Sequence, residues 1–121
     1  NYIYTPCCSF KEVLERGYIC IVDGLFDAIS LNEAGFCAGC LMGSSVTDEI
    51  VAQLRLIRKV IIIADNDDAG IKLQKTLLRR VPHSLIFRQG VDKDIDGALK
   101  SAKGAEIKMQ LQSLINANNP F

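Results

Sequence analysis

At 121 residues the chain has the length of a single domain with one hydrophobic core. Hydrophobic residues make up 49% and charged residues 23%, which are globular proportions, and no run approaches the roughly 20 apolar residues that span a bilayer, so a soluble protein without a membrane partner is expected. Fourteen basic and fourteen acidic residues cancel to zero net charge, so any affinity for nucleic acid has to come from a local patch or a bound metal and not from the field of the whole protein.

Tyr18 to Val22 is a β-prone run without polar alternation, the pattern of a strand buried on both faces, and it ends at Asp23-Gly24. A helix follows, in which Phe26, Ile29, Ser30 and Ala34 recur near a 3.6 period and Gly35 stops the pattern as a C-terminal cap would. Phe36 to Met42 reads as a second strand and Gly43-Ser44-Ser45 as a loop. Thr47 or Ser45 caps the next helix, with Asp48 and Glu49 in its first turn and Ile50, Val51 and Leu54 on its buried side; Arg58-Lys59 ends it. Lys59 to Ala64 is the strongest strand signal, because four β-branched residues in a row disfavour a helix. After Asp65, the stretch Ile71 to Arg80 reads as a helix burying Leu73, Leu77 and Leu78, with Lys72, Lys75 and Arg79 on its solvated outer face. Ser84 to Phe87 is a fourth strand, Gln89 to Asp94 a loop, and Ile95 to Ala102 a short helix. Residues 104–115 form a covering helix and 116–121 a tail. Strands alternating with helices imply an α/β fold with about four mainly parallel strands.

In such a sheet ligands bind beyond the carboxyl ends of the strands, and the acids gather there. Asp23 leaves the first strand and Asp27 falls one turn into the following helix, on the same rim. Asp65 leaves the third strand, with Asp67 pointing the same way if the backbone stays extended. Asp94 and Asp96 repeat the two-residue spacing after the fourth. Two like charges about 4 Å apart repel by roughly 1 kcal/mol in water and about 4 kcal/mol at an effective dielectric of 20, so such a cluster calls for a cation. An all-oxygen donor set suits Mg2+ or Mn2+ better than zinc. Gly24 and Gly70 stand beside acids, where the absence of a side chain lets a phosphate or a metal-bound water approach the backbone.

Other chemistries find less support. The five cysteines, Cys7, Cys8, Cys20, Cys37 and Cys40, are an odd set without a secretory leader, which points to the cytoplasm and to small buried thiols. Cys37 and Cys40 spell C-x-x-C but lack a second ligand pair for zinc and lie in a strand-like run unlike a redox motif. Neither G-x-x-x-x-G-K-[ST] nor G-x-G-x-x-G occurs. His83 reads as structural, and Ser44 and Ser45 lack a base. The chain begins at Asn1 without an initiator methionine, as expected of a piece of a longer protein.

The segments VDGLFDAISLNEAG, GCLMGSSVT, VIIIADNDDAG and DKDIDGAL, in this order, resemble the Toprim domain of primases, topoisomerases and certain nucleases over residues 18–103, and D-x-D-x-A-G with F-D-A-I-S resembles the primase branch. The resemblance implies a compact Rossmann-like fold and Mg2+-dependent nucleotidyl transfer that makes RNA primers from nucleoside triphosphates on single-stranded DNA. By position it implies that Asp23, Asp27, Asp65 and Asp67 are catalytic and that Asp23, Asp65, Asp67, Asp94 and Asp96 bind metal. Gly24, Gly70, Lys72 and Lys93 would then contact substrate phosphate, and the parent protein would work with a replicative helicase. Asp23 departs from the family's glutamate, being one methylene shorter, which favours a role in metal binding over direct proton transfer. The preceding basic subdomain and zinc-binding domain of primases have no counterpart in these residues, so weak or no priming by this piece is expected. The alternatives are a Toprim-type nuclease, a phosphoryl-transfer domain of the receiver or haloacid type with Lys93 as its lysine, and a non-catalytic module that binds nucleic acid or a partner.

Overall fold

In the computed structural model, which describes residues 3–41, 46–90 and 92–117, the first helix lies where the sequence promised little. Helix α1 (Phe10–Arg16) is capped by Ser9, whose hydroxyl accepts the Glu12 N–H, and it ends at Gly17 in a left-handed conformation with φ 80°. Such a φ is costly for any residue with a Cβ. From there the chain enters β1 (Tyr18–Val22), every residue of which is buried.

Helix α2 (Leu25–Glu33) returns the chain to β2 (Ala38–Cys40), and α3 (Asp48–Arg55), capped by the Thr47 side chain, leads to β3 (Lys59–Ile62). Helix α4 (Asp68–Arg80) precedes β4 (Ser84–Ile86), and α5 (Ile95–Lys100) and α6 (Gly104–Asn116) complete the described chain. The four strands form one parallel sheet of order β2-β1-β3-β4. The continuous apolar runs of β1 and β3 are accounted for by their central places, with Cys20 paired to Ile61 and Ile21 to Ile62. From β1 the chain first moves outward to β2, then crosses back to β3 on the other side and continues to β4. The order therefore reverses between β1 and β3, and that reversal opens a crevice beyond their carboxyl ends.

Several expectations shift. Helix α2 buries Asp27, Ala28 and Leu31 and leaves Phe26 76% exposed; the helix is rotated so that its acid, not its aromatic, faces inward. The second strand is three residues long, and the Gly43-Ser44-Ser45 loop lies outside the described residues. Helix α4 starts three residues before Ile71, because Asp67 caps it by accepting the Gly70 N–H at 2.7 Å. Leu77 is buried, but Leu78 is exposed.

Cys8, Cys20, Cys37 and Cys40 are buried. Burial pushes the Cys8 thiol up to about 11, which makes it a poor nucleophile. His83 hydrogen-bonds the Ile57 carbonyl at 3.0 Å, as a structural histidine does. Among the described residues no helix is long and apolar enough to cross a membrane.

Candidate functional site

The crevice between β1 and β3 is where the acids meet. After Ile62 the chain stays extended and buried through Ile63, whose N–H donates to Ile21 O at 2.9 Å, and Ala64. It then delivers Asp65 next to Asp23, which leaves β1. The Asp65 N–H donates to Asp23 Oδ2 at 3.4 Å, tying the two strand ends together.

Asp27 comes in from the first turn of α2 and is only 7% exposed. Its Oδ1 accepts the Asp96 N–H of the first turn of α5 at 3.1 Å, so one carboxylate joins two helix starts. Asp94 caps α5 through the Gly97 N–H at 2.8 Å. Carboxylate oxygens of Asp27, Asp65 and Asp94 lie within 4.8 Å of one another, the one such group of potential metal ligands among the described residues. Helices α2, α4 and α5 all begin on this rim, and their N-terminal partial charges, about +0.5 each, offset only part of the negative charge.

The electrostatics register the remainder. Burial, reinforced by the Asp94, Asp96 and Asp23 charges and opposed by the Asp96 N–H, raises the Asp27 carboxyl to about 6. Asp65 also rises to about 6, through burial first and then through Asp23, Asp27, Asp67 and Asp94. Asp23 is raised by burial, against the pull of the Asp65 N–H, with Asp67 adding to the rise. Carboxyls that resist ionising because of neighbouring carboxylates are those that a divalent cation would relieve. The donor set fits a hard cation: all three groups offer carboxylate oxygens, the ligands that Mg2+ and Mn2+ prefer.

The other expected residues take different places. Asp67, itself in extended backbone, spends its carboxylate on the α4 cap by accepting the Gly70 N–H. Asp96 turns away from the group: it accepts from the Ser30 hydroxyl and pairs with Lys100 at 2.9 Å, and those two bonds lower its pKa. Asp23 stands beside the group and is not one of its three members. Lys72 and Lys93 are exposed.

Gly24 caps α2, and a Cβ there would meet Asp27 Oδ2 at an ordinary 3.6 Å. For Gly70 the physical reason differs from the expected one. A Cβ there would lie 1.9 Å from the Asp65 carbonyl oxygen, so the space left by its missing side chain is filled by the protein's own backbone.

Two amide side chains escaped the reading of the sequence. Asn66 Nδ2 donates to the carbonyls of Gly90 at 2.8 Å and Asp92 at 2.6 Å, and its backbone N–H donates to Lys93 O at 2.6 Å. Buried Gln89 bridges Ala64 O and Lys93 O at 3.1 Å each. These bonds stitch the loop before Asp94 to the turn after β3 and so set the distance between Asp94 and Asp65. The polar Asn66, lodged between acids, and the lone amide Gln89 in a loop are the signals that were there to find.

Residues 20–99 match the Toprim-like family, and the chain belongs to that family. That membership sets aside the receiver and haloacid alternatives. It is 40% identical over 72 residues to a DNA primase of Rickettsia bellii and 33% identical over 72 residues to a DNA primase of Rickettsia felis, in each case over 58% of this chain and 12% of the relative. The chain thus spans about an eighth of the length of these curated relatives. A crystal structure of the zinc-binding and RNA polymerase domains of Aquifex aeolicus primase superposes with a TM-score of 0.61 at 26% identity, over 88% of this chain and 27% of that one.

Proposed function

We propose that this domain is the metal-binding, nucleotidyl-transfer part of a DNA primase that synthesises RNA primers on single-stranded DNA. The observation that carries the reading is the convergence of Asp27, Asp65 and Asp94 at the β1–β3 reversal, in a chain whose relatives are DNA primases.

Asp27, Asp65 and Asp94 would hold Mg2+ or Mn2+. When bound, the ion neutralises triphosphate charge and steadies the in-line displacement by a primer 3′-hydroxyl. Asp23 orients Asp65 through its N–H, and Asp67 fixes the start of α4 behind it. Asp96 is a positioning group, holding α5 against α2 through Ser30. Lys72 and Lys93, both exposed, with Gly24, would carry the outer contacts to a polyphosphate. No side-chain nucleophile is needed. The substrates are then nucleoside triphosphates and a single-stranded template, the parent protein would work with a replicative helicase, and the compartment is the cytoplasm.

The test is primer synthesis by the parent protein. Asp27→Ala and Asp65→Ala should each abolish Mg2+-dependent primer formation while Asp48→Ala, at the start of α3 and paired with Arg80, leaves it intact. Priming that survives both alanine variants would make this a non-catalytic module, and metal-dependent nicking of DNA without nucleotides would move the assignment to a Toprim-type nuclease.

A further inference from the structure

The opposite end of the sheet has its own cavity. The strands begin there, at Tyr18, Lys59 and Ser84, and together with the C-terminal turn of α6 they enclose a space of about 610 Å³. That volume lies within the roughly 300–1,000 Å³ range of small-molecule sites. Among the described residues its lining includes Arg16, Arg58 and Lys59 and no Asp or Glu. In a chain of zero net charge, a cavity with three permanent cations and no acid is a local field of one sign.

The three cations are not equivalent. Lys59 is 6% exposed and directs its ammonium to the carbonyls of Leu114, Ile115 and Ala117 at 2.9, 2.9 and 2.7 Å. It supplies charge to the cavity, but its three protons are already used. Arg16 reaches Cys37 Sγ at 3.3 Å and Glu12 at 3.9 Å through one guanidinium nitrogen, Nη1, leaving its other N–H groups. Arg58 is exposed, its stem passing beside Gly17, and it has no ion pair among the described residues. Two guanidinium forks flanking Gly17 and Tyr18 suit an anion whose oxygens accept in pairs. The remaining walls include Tyr18, Pro82, Leu85 and Ile115, an apolar surface for the body of the ligand. In the same wall the buried Ser84 hydroxyl has no partner among the described residues.

We propose that this cavity is a second site, separate from the acidic rim, that binds a phosphomonoester of nucleotide size, with Arg58 and Arg16 on the phosphate and the apolar wall on the attached ring. A dianion answers the cavity's charge better than a carboxylate does, and the apolar wall adds what inorganic phosphate lacks. The proposal does not depend on the function assigned to the rim.

The experiment is amide NMR of the chain in EDTA, with AMP and adenosine as probes. Without metal the clustered carboxylates repel phosphate, so the acidic rim is silent. AMP should shift the Gly17, Ser84 and Leu85 amides saturably, adenosine should not, and Arg58→Glu should weaken AMP at least tenfold while Asp65→Asn leaves it unchanged. Arg58 is exposed, so its variant should keep the native spectrum, which the same experiment reads. A 5′-phosphorylated oligothymidylate shows whether the phosphate belongs to a free nucleotide or a strand end, according to which binds tighter. Equal shifts with adenosine, shifts confined to the Asp23 and Asp65 region, or an Arg58→Glu variant that binds AMP normally would each overturn the proposal.

Discussion

The two ends of this one sheet handle charge in opposite ways. At the amino ends of the strands, Lys59 is buried yet fully compensated, its ammonium held by three carbonyls at the end of α6. At the carboxyl ends, Asp27 is about equally buried but meets one backbone N–H and several like charges, and its carboxyl rises to about 6. A buried charge with full hydrogen bonding is a structural device, whereas one that is left short of partners is held ready for something to bind. By that standard Lys59 belongs to the architecture of the domain, and Asp27 and Asp65 are the groups the proposed metal site would use.

The contrast breaks most sharply if the acids are removed. Loss of partners outside the direct ligand shell of a metal costs about 10–100-fold in affinity, so removing a direct oxygen should cost at least the upper end of that range. Asp27→Ala and Asp65→Ala are each expected to weaken Mn2+ binding by about 100-fold or more, read by the electron paramagnetic signal of free Mn2+. Gly70→Ala attacks the same rim from behind. Its Cβ would sit 1.9 Å from the Asp65 carbonyl oxygen, so α4 must move away, at a cost of about 3 kcal/mol in unfolding free energy by urea titration. Lys59→Met tests the other end: three carbonyls lose a charged donor, and a loss of about 2 kcal/mol is expected in the same assay.

Titration sharpens the comparison with a smaller effect. Asp27 and Asp65 have folded pKa values of about 6, above the 3.8 of the free side chain. Between those values the folded state binds more protons than the unfolded one, so their stabilising contribution is complete below about pH 4 and is lost as pH rises through 6. In EDTA the urea midpoint should therefore rise as pH falls from 7 toward 5, a trend that saturating Mn2+ should abolish because the ion replaces the protons. A flat profile in EDTA would mean that the rim is not charge-frustrated.

How much of this was legible depended on whether the cause was local. The run from Lys59 to Ala64 announces a buried strand because β-branched residues carry that preference within themselves, and the matched positions of Asp23, Asp65 and Asp94 after strands placed them on one rim. Helix α1 carried one local signal, Ser9 and Glu12 at the spacing of a capping box, but the reading of elements began at Tyr18 and passed it over. The place of Asp27 on the rim was legible from its position one turn into α2, but the exposure of Phe26 was not, because apolar periodicity assigned the aromatic to the buried face. Nor was the role of Gly70, which exists only because α4 and the Asp65 carbonyl come together in space. The side-chain destinations of Asp67 and Asp96 were hidden for a related reason. Each had two possible uses, and the choice was made by groups elsewhere: the Gly70 N–H for one, Ser30 and Lys100 for the other.

Asp96 supplies the finest of these tests. It stands two residues from Asp94 and shares its element, yet its carboxylate is occupied by Ser30 and Lys100 while that of Asp94 lies with Asp27 and Asp65. Lys100 is exposed and its ion pair is screened by solvent, so Asp96→Asn should lower the urea midpoint less than Lys59→Met does. Its effect on Mn2+ should be modest, about threefold, because the backbone N–H that orients Asp27 survives the substitution. If Asp96→Asn instead weakened Mn2+ as strongly as Asp65→Ala does, the cation would have to be held by both acids of the Asp94–Asp96 pair, and the three-carboxylate group would be one ligand short of the true site.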